Sequence, residues 1–217
     1  MARRKKELVT TPMGVLVWPH LNSPDYEYDE AGVYQTKLRL TGTDAEEFKA
    51  YCEAQQKEAA VEAKESKSFK GKGKVPLADL PYKEDDDGNL LFNFKMKAKG
   101  TTRNGETFTR EPKLFDAKGQ PCNDARVGGG TVARISFESY RYYAKMVGGA
   151  GVSLRLEAVQ IIDLQEWSSG RSAEGFGFEA TDGFSVDEYT APDAPDSDSD
   201  SDSDDDSDDE DGDDFDF

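Results

Sequence analysis

Two sets of residues at period-two spacing carry the chemistry this chain can offer. Within residues 131–143, Arg134, Ser136, Glu138, Tyr140 and Tyr142 share one parity, while Ile135 and Phe137 take the other. On a strand that spacing separates a polar, tyrosine-bearing face from an apolar one. Lys95, Lys97 and Lys99 share a parity with Asn93, opposite Leu90, Phe92, Phe94, Met96 and Ala98. Flat π-surfaces beside fixed positive charge suit the stacking of unpaired bases and the holding of their phosphates. Each set also has a plainer reading. A half-exposed tyrosine can simply close a barrel end, and a lysine row can guard a free sheet edge. Bond-making chemistry has little to work with: His20 is the sole histidine, and Cys52 and Cys122 form no zinc spacing. Without a Ser-His or Cys-His pairing, the chain is not expected to be an enzyme, and no metal or cofactor is implied.

These faces need strands to hold them. After the turn at Gly148-Gly149-Ala150-Gly151, Val152, Leu154, Leu156 and Val159 alternate with Ser153 and Arg155, which predicts a return strand. Residues 13–18 read as a short strand stopped by Pro19, and 33–40 as a second, with Tyr34, Leu38 and Leu40 opposite Gln35, Lys37 and Arg39. Thr43-Asp44-Ala45-Glu46 has the spacing of a capping box, opening a helix that runs to about Lys64. Its apolar stripe (Phe48, Tyr51, Cys52, Ala59, Ala63) is thin, so the helix is expected on a surface. The lysines at 67, 70, 72 and 74, interleaved with Gly71 and Gly73, form either a solvated linker or a phosphate clamp.

Asp85-Asp86-Asp87-Gly88 reads as a hairpin turn. A calcium loop would place Lys83 at its first position and Phe94 at its twelfth, neither a suitable ligand. Arg103-Asn104-Gly105-Glu106 predicts another hairpin, leading into a strand over 107–115. Gly128-Gly129-Gly130 lacks the Lys-Ser or Lys-Thr of a phosphate loop and reads as a barrel corner or bulge. The expected fold is mainly β: an OB-fold, a Greek-key barrel of five to six strands with one inserted surface helix.

Charge divides the chain. Of 217 residues, 181–217 hold 18 of the 45 acids and none of the 27 bases, so the formal −18 belongs to that segment and 1–180 balance. Between 89 and 155, 12 bases face five acids. A basic middle with an acidic end fits a nucleic-acid-binding body. The expected organisation is a flexible basic arm (1–12), a barrel (13–167), a linker (168–190) and a disordered acidic tail (191–217) ending in Phe. No secretory signal or membrane span is read, so a cytoplasmic location is expected. Phe215, Asp216 and Phe217 look like a plug for a partner's pocket.

The combination resembles the gene-2.5-type single-stranded DNA-binding proteins of short-tailed bacteriophages. The resemblance rests on Gly32-Val33-Tyr34 heading a strand, Asn93-Phe94-Lys95, and Gly128-Gly129-Gly130-Thr131. It continues without a gap through Tyr142 and Gly149 to Val152, Leu154, Leu156 and Glu157, and returns in the acidic tail. It implies an OB-fold and sequence-tolerant binding of single-stranded DNA in phage replication, recombination and repair. It also implies a tail that recruits a replicative polymerase and a helicase-primase, with the host cytoplasm as location; a homodimer is left open. Tyr142 matches a family aromatic implicated in base contact. The next stacking aromatic falls on Ala144, leaving Tyr140 and Tyr143 as substitutes. The expected nucleic-acid contacts are Lys37, Arg39, Lys70, Lys72, Lys74, Lys95, Lys97, Lys99, Arg134, Tyr140, Tyr142 and Tyr143. The rival reading is an acidic chaperone or DNA mimic that binds basic partners.

Overall fold

The computed structural model describes residues 7–27, 29–66, 68–102 and 105–167, with Glu179 and Thr181 besides. Phe215, Asp216 and Phe217 therefore lie outside the described residues, as do most of the expected linker and all of the acidic tail.

Five long strands make the barrel: β2 (Gly14–Asp25), β3 (Val33–Leu40), β5 (Leu90–Lys97), β9 (Val132–Ala144) and β10 (Gly149–Asp163). Antiparallel pairing runs from β9 to β2, β3 and β5. From β5 it passes by a parallel contact to β10, and β10 returns antiparallel to β9, closing the ring. This is the five-stranded Greek-key closure of an OB-fold, and closure removes free edges from these strands. Shorter strands decorate it: β1 (Leu8–Thr10) on β9, β4 (Tyr82–Glu84) on β5, and β8 (Lys113–Phe115) on β10. A separate hairpin pairs β6 (Lys99–Thr101) with β7 (Thr107–Thr109).

The alternation read from 33–40 and 90–98 is the burial pattern. Tyr34, Leu38 and Leu40 are buried while Gln35, Lys37 and Arg39 are not. Phe92, Phe94 and Met96 are buried, with Lys95 and Lys97 exposed on either side of Met96. Phe92, Phe94, Leu38, Phe137, Ile135 and Leu154 form the centre of the core.

The helix α1 (Gly42–Glu65) differs from its expectation in two ways. It begins directly after β3 with Thr41 as N-cap and no side-chain cap bond, so Thr43 already lies in the first turn and no capping box forms. Glu46 pairs instead with Lys49 at 3.6 Å. Its outer face is exposed, as a surface helix requires, yet Phe48 drives into the barrel core. Its ring meets Phe92 edge-on at 4.7 Å and Phe137 at 5.6 Å. One buried aromatic does what the thin stripe did not advertise.

Three further expectations need correction. Pro19 does not end the first strand. The register of β2 on β3 shifts by one residue between Val17↔Lys37 and His20↔Gln35, and the proline, which has no N–H to donate, sits inside that bulge. Pro112 does break the strand expected over 107–115, splitting it into β7 and β8 on different partners. Residues 8–11 are not part of a flexible arm: Leu8–Thr10 pairs with Glu138, Phe137 and Ser136, and Thr11 is buried against Ile135. The turn at Asp85–Gly88 forms where read, with Gly88 N–H donating to the Asp85 carbonyl, and Gly105 N–H donates to the Thr102 carbonyl between the paired β6 and β7.

Candidate nucleic-acid interface

Barrel closure decides which expected residues meet. Gln35, Lys95, Arg155 and Glu138 are register partners across β3, β5, β10 and β9. At about 4.8 Å between strands, that row spans about 14 Å of the outer surface. Tyr140 stands one step along β9, opposite Ser153, and is 42% exposed. The guanidinium of Arg155 lies 3.4 Å over its ring, and the same side chain approaches Glu138 at 3.9 Å. A guanidinium laid on a ring keeps its charge and offers a second flat plane for stacking.

Two hollows flank the row and share Gln35 and Lys95. One, about 650 Å³, is lined by Lys95, Lys97, Arg110, Phe108 and Arg155. The other, about 620 Å³, is lined by Lys37, Asn93, Lys95, Trp18 and Tyr82. Arg110 lies 4.4 Å from the centre of the Phe108 ring, and the Lys37 ammonium 4.4 Å from that of Trp18. Cation-over-aromatic pairing thus recurs three times along this surface. Because β5 is paired on both sides at Lys95, that lysine guards no free edge.

Acids line both hollows too: Asp25, Asp29 and Glu157 the first, and Glu84, Asp85 and Asp86 the second. Asp29 pairs with Lys97 at 3.0 Å. That hydrogen bond, with the Ala31 N–H, holds the Asp29 carboxyl below the usual carboxylate range. Asp85, on the turn beside the second hollow, spends one oxygen on the N–H groups of Asp87 and Asn89. The Asn89 bond is the main reason its carboxyl is also held low, with a smaller pull from Arg39.

The remaining expected residues scatter. Lys99 has left β5 for the β6–β7 hairpin, so the three-lysine row belongs to two sheets. Arg39 sits between Val15 and Leu91 and lines neither hollow. Arg134 is six residues from Tyr140, about 20 Å along the strand, opposite Gln160. Tyr142 shares the face of Tyr140, and its ring lies so close over Gly151 that a Cβ there would come within 2.5 Å of it. Tyr143 points the other way, edge-on to Phe69 at 5.9 Å. That contact fastens the exposed Lys70, Lys72 and Lys74 loop to the helix side of β9, where Lys74 joins Lys57 and Lys64 around a hollow of about 260 Å³.

Gly128-Gly129-Gly130 is no cradle. Gly128 N–H donates to the Gln165 carbonyl at 2.8 Å, and a Cβ on Gly128 would fall 2.7 Å from the Trp167 nitrogen. The glycine lets 126–131 lie backbone to backbone on 165–167. Phe108 lies in a three-residue strand, Arg110 just beyond it, Trp18 at a bulge and Trp167 beside the barrel's last strand, where period-two alternation does not reveal them. The Trp18-Pro19 pair was the one available signal.

Residues 10–164 match the family model described as "Single-stranded DNA-binding protein, Bacteriophage T7". The chain is 29% identical to the single-stranded DNA-binding protein of Enterobacteria phage T3 over 80% of its own length and 83% of the relative's. With the protein of that name from Escherichia phage T7 it shares 27% over 76% and 79%. The relatives carry the names of binding proteins, not of enzymes. Among solved structures, gp2.5, a single-stranded DNA-binding protein encoded by bacteriophage T7, superposes with a TM-score of 0.64 at 23% identity, covering 86% of this chain and all of that one. The single-stranded DNA-binding protein of bacteriophage Enc34, solved in complex with ssDNA, gives 0.52 at 13% identity over 73% and 88%. With the barrel closed as the resemblance implied and the model matching nearly all of it, the chain belongs to the bacteriophage T7-type single-stranded DNA-binding protein family.

Proposed function

We propose that this chain binds single-stranded DNA without strong sequence preference, laying the strand along the outer surface of β3, β5 and β10 and over Tyr140. The observation that carries this reading is the Lys95–Arg155–Tyr140 row, a cationic and aromatic surface continuous across three paired strands. Bases stack on Tyr140, Phe108 and the Arg155 plane, while Lys37, Lys95, Lys97 and Arg110 hold phosphates. Every base has a π-face and every nucleotide a phosphate, so such a surface tolerates any sequence. Tyr142, Lys99 and Arg39 flank the path. Lys70, Lys72, Lys74, Arg134 and Tyr143 fall outside it. The names of the T3 and T7 relatives support the reading, as does the ssDNA in the Enc34 complex.

In the infected cell's cytoplasm this activity coats unpaired DNA during replication, recombination and repair. The acidic segment at 191–217 competes with DNA for the groove cations and, through Phe215, Asp216 and Phe217, recruits the replicative polymerase and helicase-primase. The test is a titration of the full chain and of a chain ending at Thr181 against single-stranded DNA, duplex and RNA oligomers at two salt concentrations. Single strands should bind best, and truncation should tighten binding most at low salt. If the truncated chain bound no oligomer, the acidic-chaperone reading would replace this one.

A further inference from the structure

A third hollow, about 480 Å³, adjoins the second and shares Trp18 and His20 with it. Trp18 forms the wall between them. Lys37, which lies over the Trp18 ring, lines the second hollow and not the third. Across the third hollow is Trp167, with Arg126 and Gly129 beside it. These are the chain's only two tryptophans, and they are 69% and 60% exposed.

Both are held by the fold. Trp18 has φ +47° at the β2 bulge, the single positive-φ residue other than glycine among the described residues. A bulky residue in that conformation persists only where its surroundings impose it, and such positions cluster at binding sites. Asn22 ties the following stretch of β2 to the far wall, donating to the Ala125 carbonyl at 2.6 Å and accepting the Val127 N–H at 2.9 Å. Trp167 N–H donates to the Arg126 carbonyl at 3.1 Å. Two large aromatic faces thus stand in water on either side of a hollow that adjoins the groove holding Lys37 and Lys95.

From this geometry, and resting on the single-strand reading above, we infer that the Trp18–Trp167 hollow is a second stacking station, taking unpaired bases of a strand already seated on the Lys95–Arg155–Tyr140 row, with Arg126 on their phosphate. The bound path therefore runs from Tyr140 and the β6–β7 hairpin, across β10, β5 and β3, and over the β2 bulge to residue 167. A short oligomer fills the first part alone, and a longer one reaches the tryptophans.

With two tryptophans in the chain, intrinsic fluorescence reads this directly. The full-length Trp18→Phe and Trp167→Phe proteins each retain one indole and are titrated with thymine oligomers of about 5 and about 16 nucleotides, the range covered by single OB-folds. The longer oligomer should shift the emission of both, and the shorter should leave Trp167 unaltered. Trp18→Ala and Trp167→Ala should each weaken binding of the longer oligomer by about 5- to 100-fold, with the slope of log affinity against log salt unchanged. Tight binding of the longer oligomer with neither emission altered, or with no loss on Trp167→Ala, would overturn the second station and leave the groove reading standing. Failure of the wild-type chain to bind either oligomer would overturn both.

Discussion

On the face of β9 turned toward α1, the protein consumes its own Arg and Tyr. Arg141 pairs with Glu58 and, at 2.7 Å, with Glu62, and also donates to Gln55 at 3.0 Å; Tyr143 packs on Phe69. On the opposite face, one residue out of phase, Tyr140 carries the guanidinium of Arg155 over its ring and remains 42% exposed. The same residue types on one strand thus do two jobs, and parity decides which. Where a long helix supplies carboxylates and a small apolar cluster, Arg and Tyr become fastenings. Where the neighbour is another cation-bearing strand, they remain available to a ligand that brings its own negative charge.

The largest test of that division acts on the helix side. Phe48→Ala empties an aromatic site among Phe92, Phe94 and Phe137 and should lower unfolding free energy by about 3–5 kcal/mol. A thiol probe reports it independently. Cys52 is buried on the same helix, which pushes its thiol up to about 12, so it should resist labelling near pH 8 in the wild type and label readily in Phe48→Ala. Equal protection in both would mean that Phe48 does not hold the helix on the barrel.

The groove side should respond in affinity instead. Tyr140→Ala should cost about 1–3 kcal/mol of binding to a single strand, with its salt slope intact. Lys95→Ala should reduce the magnitude of that slope by about 0.7, one phosphate's share on a single strand. Tyr143→Ala, assayed at matched folded fraction, should change neither. A Tyr143→Ala loss as large as that of Tyr140→Ala would erase the distinction between the faces.

Much of this division was legible in the residues. Strict alternation located β3 to its observed ends and put Lys37, Lys95, Lys97 and Tyr140 outward, and the parity that separates Tyr143 from Tyr142 was present in the sequence as well. Other features depended on tertiary context. Pro19 and Pro112 look alike as strand breakers, yet one is absorbed by a bulge and the other divides two strands, because only β2 has a partner able to shift register there. Phe48 sits on a weakly amphipathic helix, and nothing local reveals that the barrel has space for its ring. Phe108 and Arg110 join the groove through a short hairpin whose position depends on the closed sheet. The acids facing the groove were equally hidden, since Asp29 reaches Lys97 from a loop.

That last pair yields the smallest predicted effect. Asp29→Asn removes a negative charge from the groove and releases Lys97, so affinity for a single strand should rise by about 1.5- to 5-fold at low salt, in the range of an exposed ion pair. Because the folded-state pKa of Asp29 is lowered, its pairing stabilises the fold above the ordinary carboxylate pKa and is lost as pH falls through the lowered value. The pair is accordingly intact at neutral pH, where the substitution, not acidification, should reveal the lysine. An unchanged or reduced affinity in Asp29→Asn would place Lys97 off the path.

The central claim is that the outward face of β9, β10 and β5 grips unpaired nucleotides while the face toward α1 does not. Photo-crosslinking of the full-length protein to a thymine oligomer, followed by mass-spectrometric mapping of the adducts, tests it most directly. Adducts are expected on Tyr140 and Phe108 and none on Tyr143, Phe69 or Tyr51. Adducts concentrated on the helix-side residues, with Tyr140 and Phe108 unmodified, would contradict it.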